Sequence, residues 1–70
     1  MMPLTLVSIG ENNTVLKVGG NAETKKRLEN LGFVAGGNVR VVSAIGGNLI
    51  VNVKESRVAI NREMAAKIMV

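Results

Sequence analysis

The chain has 70 residues and a formal net charge of +4, because nine Lys or Arg outnumber five acidic residues. It contains no His, Cys, Asp, Tyr or Trp, which excludes nucleophilic catalysis by Cys–His or Ser–His–Asp groups and removes the usual nitrogen and sulfur ligands of zinc, copper and iron. The five Glu are spread singly along the chain, so we expect a non-catalytic protein with no recognisable ligands for a cofactor or a metal.

The length predicts a single domain over residues 1–70, with a thin core and no disulfide to support it. The absence of cysteine fits a reducing cytoplasm. The first residues lack the basic region and long apolar run of a signal peptide, and no stretch has the length and apolarity of a transmembrane helix. The positive charge suits an acidic protein surface, an anionic membrane face or nucleic acid, and does not choose among them.

The first predicted element is a short, extended apolar segment at residues 3–9. Its pattern of apolar and polar residues points Leu4, Leu6 and Ile9 toward the core. The composition of residues 10–13, GENN, then predicts a turn.

A strand is predicted at residues 14–18, where alternation places Leu16 and Val18 on one face and Val15 on the other. In a closed barrel the second face would lie outside. Such leftover apolar residues are either covered by other elements or available for weak self-association. The strands predicted below add three more of them: Val42, Ile50 and Ala59.

The clearest element is a helix over Asn21–Leu31, which can be read from its first residue to its last. Asn21 is a favourable N-cap, because its side-chain oxygen can accept from a free amide of the first turn. Gly32 is placed to adopt the left-handed conformation that ends a helix. Phe33 and Leu28 then occupy the two positions that touch in a Schellman motif.

Three further strands are predicted at residues 38–44, 49–54 and 56–61, each with valine or other apolar residues at alternate positions. The glycines of residues 45–48 predict a turn between the first two. Residues 54–57, KESR, contain no glycine, so we expect a looser connection there rather than a tight primed turn.

Asn61 is predicted to cap a short helical turn, REMAAK, before a last short strand at residues 68–70. Several short strands with one inserted helix predict a mainly β protein. The economical arrangement is a sheet of about five strands curled into a small barrel, with the helix covering an open end.

The run KRLENLGFVAGGNVRVV, residues 26–42, resembles the FeoA family. The segments LTLVSIGEN, VLKVGG and VAINREMAAKIMV resemble the family's opening segment, first barrel strand and closing region, so the similarity spans nearly the whole chain. The resemblance implies an SH3-like barrel with a helix between the first strands. The loop Ser43–Asn48 departs from the family pattern, because it keeps the glycine turn but lacks the prolines and the acidic residue.

The resemblance also implies a function: a cytoplasmic accessory protein of bacterial ferrous iron uptake. Such a protein would contact the cytoplasmic nucleotide-binding domain of the membrane transporter FeoB, and could be recruited by it to the inner face of the membrane. Fe²⁺ is implied only by this family role, since the chain offers no set of iron ligands.

Lys26 and Arg27 are the candidate partner-binding residues, as the outermost cations of the family signature. The competing interpretation is a solvated helix face, with Arg27 paired to Glu23 one turn earlier. For Lys25 the solvated helix face is the favoured interpretation.

Two alternative functions stay open. A small barrel of charge +4 could bind RNA, but base stacking normally uses exposed aromatic side chains, and Phe33 is the only aromatic residue. We therefore expect no nucleic-acid partner. The chain could also be a stand-alone relative of the SH3-like domain of iron-dependent repressors.

Overall fold

The computed structural model describes residues 1–70 and contains two antiparallel sheets. One has four strands in the order β1-β3-β4-β5, and the other pairs β2 with β6. The strands are β1 (Asn12–Thr14), β2 (Lys17–Val18), β3 (Asn38–Ile45), β4 (Asn48–Val53), β5 (Ser56–Asn61) and β6 (Ile68–Met69). The helices are α1 (Ala22–Leu31) and α2 (Arg62–Ala65), and a single 3-10 turn covers Leu4–Leu6.

The core is built by alternate residues of the central strands, as the sequence predicts. Leu49, Val51 and Val53 of β4 are all buried, and so are Val39 and Val41 of β3 opposite them. A register shift between Val41 and Ser43 leaves one extra residue in β3, which is the geometry of a β-bulge and helps a sheet to bend.

Both ends of α1 agree with the prediction. The Asn21 side chain accepts from the Thr24 amide at 2.8 Å. At the other end Gly32 has a φ of 112°, and the Phe33 amide donates to the Leu28 carbonyl at 3.1 Å. The Leu28 and Phe33 side chains are completely buried, so the Schellman motif also fastens the helix to the core.

The hairpin between β4 and β5 corrects the predicted loose connection at residues 54–57. Val53 pairs directly with Ser56, which leaves a tight two-residue turn at Lys54 and Glu55. Both residues have positive φ, 48° and 63°, as a primed turn of type I′ requires. The prediction was wrong because the register is fixed by burial on both strands, and the turn must accept the strain.

The N-terminal prediction was also wrong in part. Residues 3–9 do not form one extended segment, because Leu4–Leu6 form a 3-10 turn and Pro3 makes an isolated bridge to Met69. Leu4 is buried as expected, but Leu6 and Ile9 are exposed. The turn expected at residues 10–13 is shorter than predicted, because Asn12 already belongs to β1 and pairs with Arg40.

The strand predicted at residues 14–18 is divided between the two sheets, and its faces differ from the prediction. Val15 is completely buried, whereas Leu16 is 54% exposed. The Val15 amide donates to the Gly37 carbonyl, and the Leu16 amide donates to Met69 on the other sheet. The alternation changes phase where the chain leaves one sheet for the other, so Val15 and Val18 both point inward.

The C-terminal region agrees with the sequence. Asn61 caps α2 by accepting from the Met64 amide at 2.7 Å. The final strand β6 pairs with β2, and Val70 exchanges two backbone hydrogen bonds with Met2. Six strands are therefore present where about five were expected. Neither helix has the length and apolar character needed to cross a membrane.

Candidate partner-binding surface

Lys26 and Arg27 lie on the solvent side of α1, as their place in the sequence suggests. Arg27 forms an ion pair with Glu23 at 3.9 Å, and both side chains are mostly exposed. Exposed pairs one helical turn apart contribute only about 0.3–0.5 kcal/mol. The pairing therefore leaves Arg27 able to turn toward a partner.

A groove lies between α1 and β2, with a volume of about 240 Å³. Five of its eight lining residues are apolar and three are charged. The lining consists of Leu16, Lys17, Val18, Lys25, Glu29, Phe33, Val34 and Ala35.

Sequence reasoning missed this groove, because it placed Leu16 in the core and treated Lys25 as a solvated cation. The structure places both at the groove, and leaves Lys26 and Arg27 outside its lining. Successive residues of a helix point about 100° apart, so Lys26 lies next to the Lys25–Glu29 face that borders the groove, whereas Arg27 projects from the other side of α1. We call the groove together with Lys26 and Arg27 the α1 surface.

The α1 surface has the chemistry of a protein-interaction site. Leu16 presents an exposed apolar side chain in the groove lining, which also contains the charged residues Lys17, Lys25 and Glu29. An apolar centre with a polar rim is the usual arrangement of a site that receives an apolar anchor from another protein.

Other kinds of site receive less support from the geometry. No three His, Cys, Asp or Glu side chains of the chain come together where a metal ion could bind. No polar or charged side chain is buried. Phe33 is completely buried, so it offers no aromatic surface on which nucleic-acid bases could stack.

Two short antiparallel sheets around one apolar core, with a helix between the second and third strands, define a small barrel of the SH3-like class. The model of the FeoA domain matches residues 2–70. The chain therefore belongs to the FeoA family.

One relative is a protein of Methanocaldococcus jannaschii that is provisionally named Fe(2+) transport protein A. It is 34% identical over 70 residues, which cover 100% of this chain and 85% of the relative.

Two solved structures share the fold. FeoA of Stenotrophomonas maltophilia, crystallised with zinc and described as a prokaryotic SH3 domain protein, is 29% identical, with a TM-score of 0.86 over 99% of this chain and 88% of that one. FeoA of Chlorobium tepidum is 26% identical, with a TM-score of 0.88 over 97% of this chain and 67% of that one.

Proposed function

We propose that this protein is a non-catalytic accessory factor of ferrous iron uptake, which acts in the cytoplasm by binding the nucleotide-binding domain of the transporter FeoB. Family membership over residues 2–70 supports the link to iron transport. The names of the relatives support it further, since one is called an Fe(2+) transport protein and another is described as a candidate ferrous iron transport activating factor.

The α1 surface is the proposed contact site, and the groove is the observation that carries the proposal. Exposed apolar residues are ordinary when they are scattered, but Leu16 borders a concave site with a partly apolar lining. An apolar side chain of the partner would fill the groove. Lys26 and Arg27, exposed on α1 outside the groove lining, would raise the rate of association with an acidic partner through long-range attraction.

In this proposal Fe²⁺ is the cargo of the transporter. The protein contributes contact and positioning, and no step of the transport is assigned to a metal bound by its own side chains.

The proposal is tested by isothermal titration calorimetry of the protein with the cytoplasmic domain of FeoB from the same organism. Saturable binding is expected. The absence of binding both to this domain and to the full-length transporter would overturn the proposal.

The contribution of the two cations is tested with the variant Lys26→Gln/Arg27→Gln. We expect weaker binding by about three- to tenfold at low salt and a smaller difference at high salt, because exposed charges outside the groove act mainly through long-range attraction. The control Arg62→Gln removes one positive charge from α2, which packs against β4, β5 and the 3-10 turn, and should bind like the unmodified protein. A loss per removed charge equal to that of the double variant would show that only net charge matters.

A further inference from the structure

The outer face of the four-stranded sheet carries a row of polar side chains that the α1 surface does not use. The register pairs Asn12 with Arg40, Arg40 with Asn52, and Asn52 with Arg57. These four residues therefore lie side by side across β1, β3, β4 and β5. Because neighbouring strands are about 4.8 Å apart, the backbones of Arg40 and Arg57 lie roughly 10 Å apart with Asn52 between them. We call these four residues the arginine row.

Neither arginine of the row forms an ion pair, although Glu55 lines the same cleft as Arg40. The single ion pair of the structure joins Glu23 to Arg27. Arg57 donates from Nε to Oδ1 of Asn52 at 3.3 Å, which orients its guanidinium group and leaves the two outer nitrogens available. The Asn52 amide nitrogen makes no hydrogen bond within the chain, so it is an additional donor between the two arginines.

A shallow cleft of about 230 Å³ borders the row, and the β4–β5 turn forms one of its edges. Lys54 of that turn already has a structural role, because its Cγ and Cδ lie 3.4 Å from the point where a Cβ on Gly32 would be. The aliphatic part of the Lys54 side chain therefore packs beside the C-terminal end of α1. No ion pair within this chain involves Arg40 or Arg57.

An apolar strip runs beside the row on the same face. Ile50 of β4 is half-buried and pairs with Ala59 of β5. It lies two residues from Asn52, a distance of about 6.8 Å along the strand. An extended peptide has the same spacing between alternate side chains, whereas an inorganic anion would use only the cations.

We propose that the arginine row and its apolar strip bind an extended segment of a partner protein that lies along β4 and carries an apolar residue and an acidic residue two positions apart. The carboxylate is received above Asn52, between Arg40 and Arg57, where two guanidinium groups can donate to it. The apolar side chain covers Ile50. This surface is separate from the α1 surface, and the inference does not depend on the proposed function.

The test is a titration of the ¹⁵N-labelled protein with the peptide acetyl-Gly-Leu-Ser-Glu-Gly-amide. We expect saturable shifts of the Ile50, Arg40, Asn52 and Arg57 amides, and at least about tenfold weaker binding when the Glu of the peptide is replaced by Gln. Replacing its Leu by Ser should also weaken binding by several-fold. These peptide variants leave the protein unchanged, so misfolding cannot imitate the result.

Protein variants locate the site. Arg40→Gln and Arg57→Gln should each weaken binding by about tenfold, whereas Arg62→Gln, with the same loss of charge, should stay within about twofold. Three results would overturn the proposal: no saturable shift up to about 10 mM peptide, equal binding of the Leu→Ser peptide or of inorganic phosphate at the same residues, or tighter binding of an RNA oligonucleotide there.

Discussion

At the scale of single residues, the clearest conflict between local preference and structure lies in the β4–β5 turn. Lys54 and Glu55 both adopt positive φ, although neither is glycine or asparagine. The β3–β4 turn solves the same problem with Gly46, which has a φ of 60°. A sequence without glycine at residues 54–57 therefore predicts a longer loop. The structure instead keeps the tight turn, with Val53 paired to Ser56, and a one-residue slip would move the buried residues of one strand to the outer face.

Replacing Glu55 with Gly should stabilise the protein by up to about 1 kcal/mol. A left-handed conformation costs an ordinary residue roughly 1–2 kcal/mol, and the greater flexibility of glycine in the unfolded chain offsets part of that gain. Urea denaturation followed by circular dichroism measures the change. Gly46→Ala is the matched control in the other hairpin and should destabilise by about 1 kcal/mol. If Glu55→Gly lowers the free energy of unfolding, the contacts of the Glu55 side chain stabilise the protein by more than the left-handed conformation costs.

At the scale of elements, α1 is the part of the fold that the sequence predicts best. Its signals are local: a capping side chain at Asn21, a left-handed Gly32, and two apolar residues, Leu28 and Phe33, spaced to meet. The faces of residues 14–18 could not be predicted in the same way. They depend on backbone partners far along the chain, at Gly36, Gly37 and Met69, and no pattern within the segment reveals them.

Asn21→Ala should destabilise the protein by about 1 kcal/mol, because the Thr24 amide loses its only side-chain acceptor at the start of the helix. For a domain of this size the melting temperature should fall by about 4–8 °C. Asn21→Asp is the control, since an aspartate accepts the same hydrogen bond and its charge is favourable at the N-terminal end of a helix. The interpretation of α1 fails if the alanine variant melts at the temperature of the unmodified protein.

At the scale of the whole molecule, the barrel carries the two surfaces that we propose as contact sites, and no three His, Cys, Asp or Glu side chains come together to hold a metal ion. Fold class and family are evident from the sequence, because both depend on the order of elements along the entire chain. The candidate site is evident only in part. Lys26 and Arg27 stand out as charges, whereas the groove exists because α1 packs beside β2 and the change of phase turns Leu16 outward.

The central claim is that the groove beside α1 receives the transporter, and Leu16→Ser tests it most directly. Leu16 is 54% exposed, so the substitution should leave the fold intact. Ile45→Ser is the matched control, because Ile45 is 65% exposed at the end of β3 and does not line the groove. The measurement is the dissociation constant of each variant for the cytoplasmic domain of FeoB, by calorimetry. We predict at least about tenfold weaker binding for Leu16→Ser and less than about twofold for Ile45→Ser. Unchanged binding of Leu16→Ser, or an equal loss in both variants, would contradict the claim.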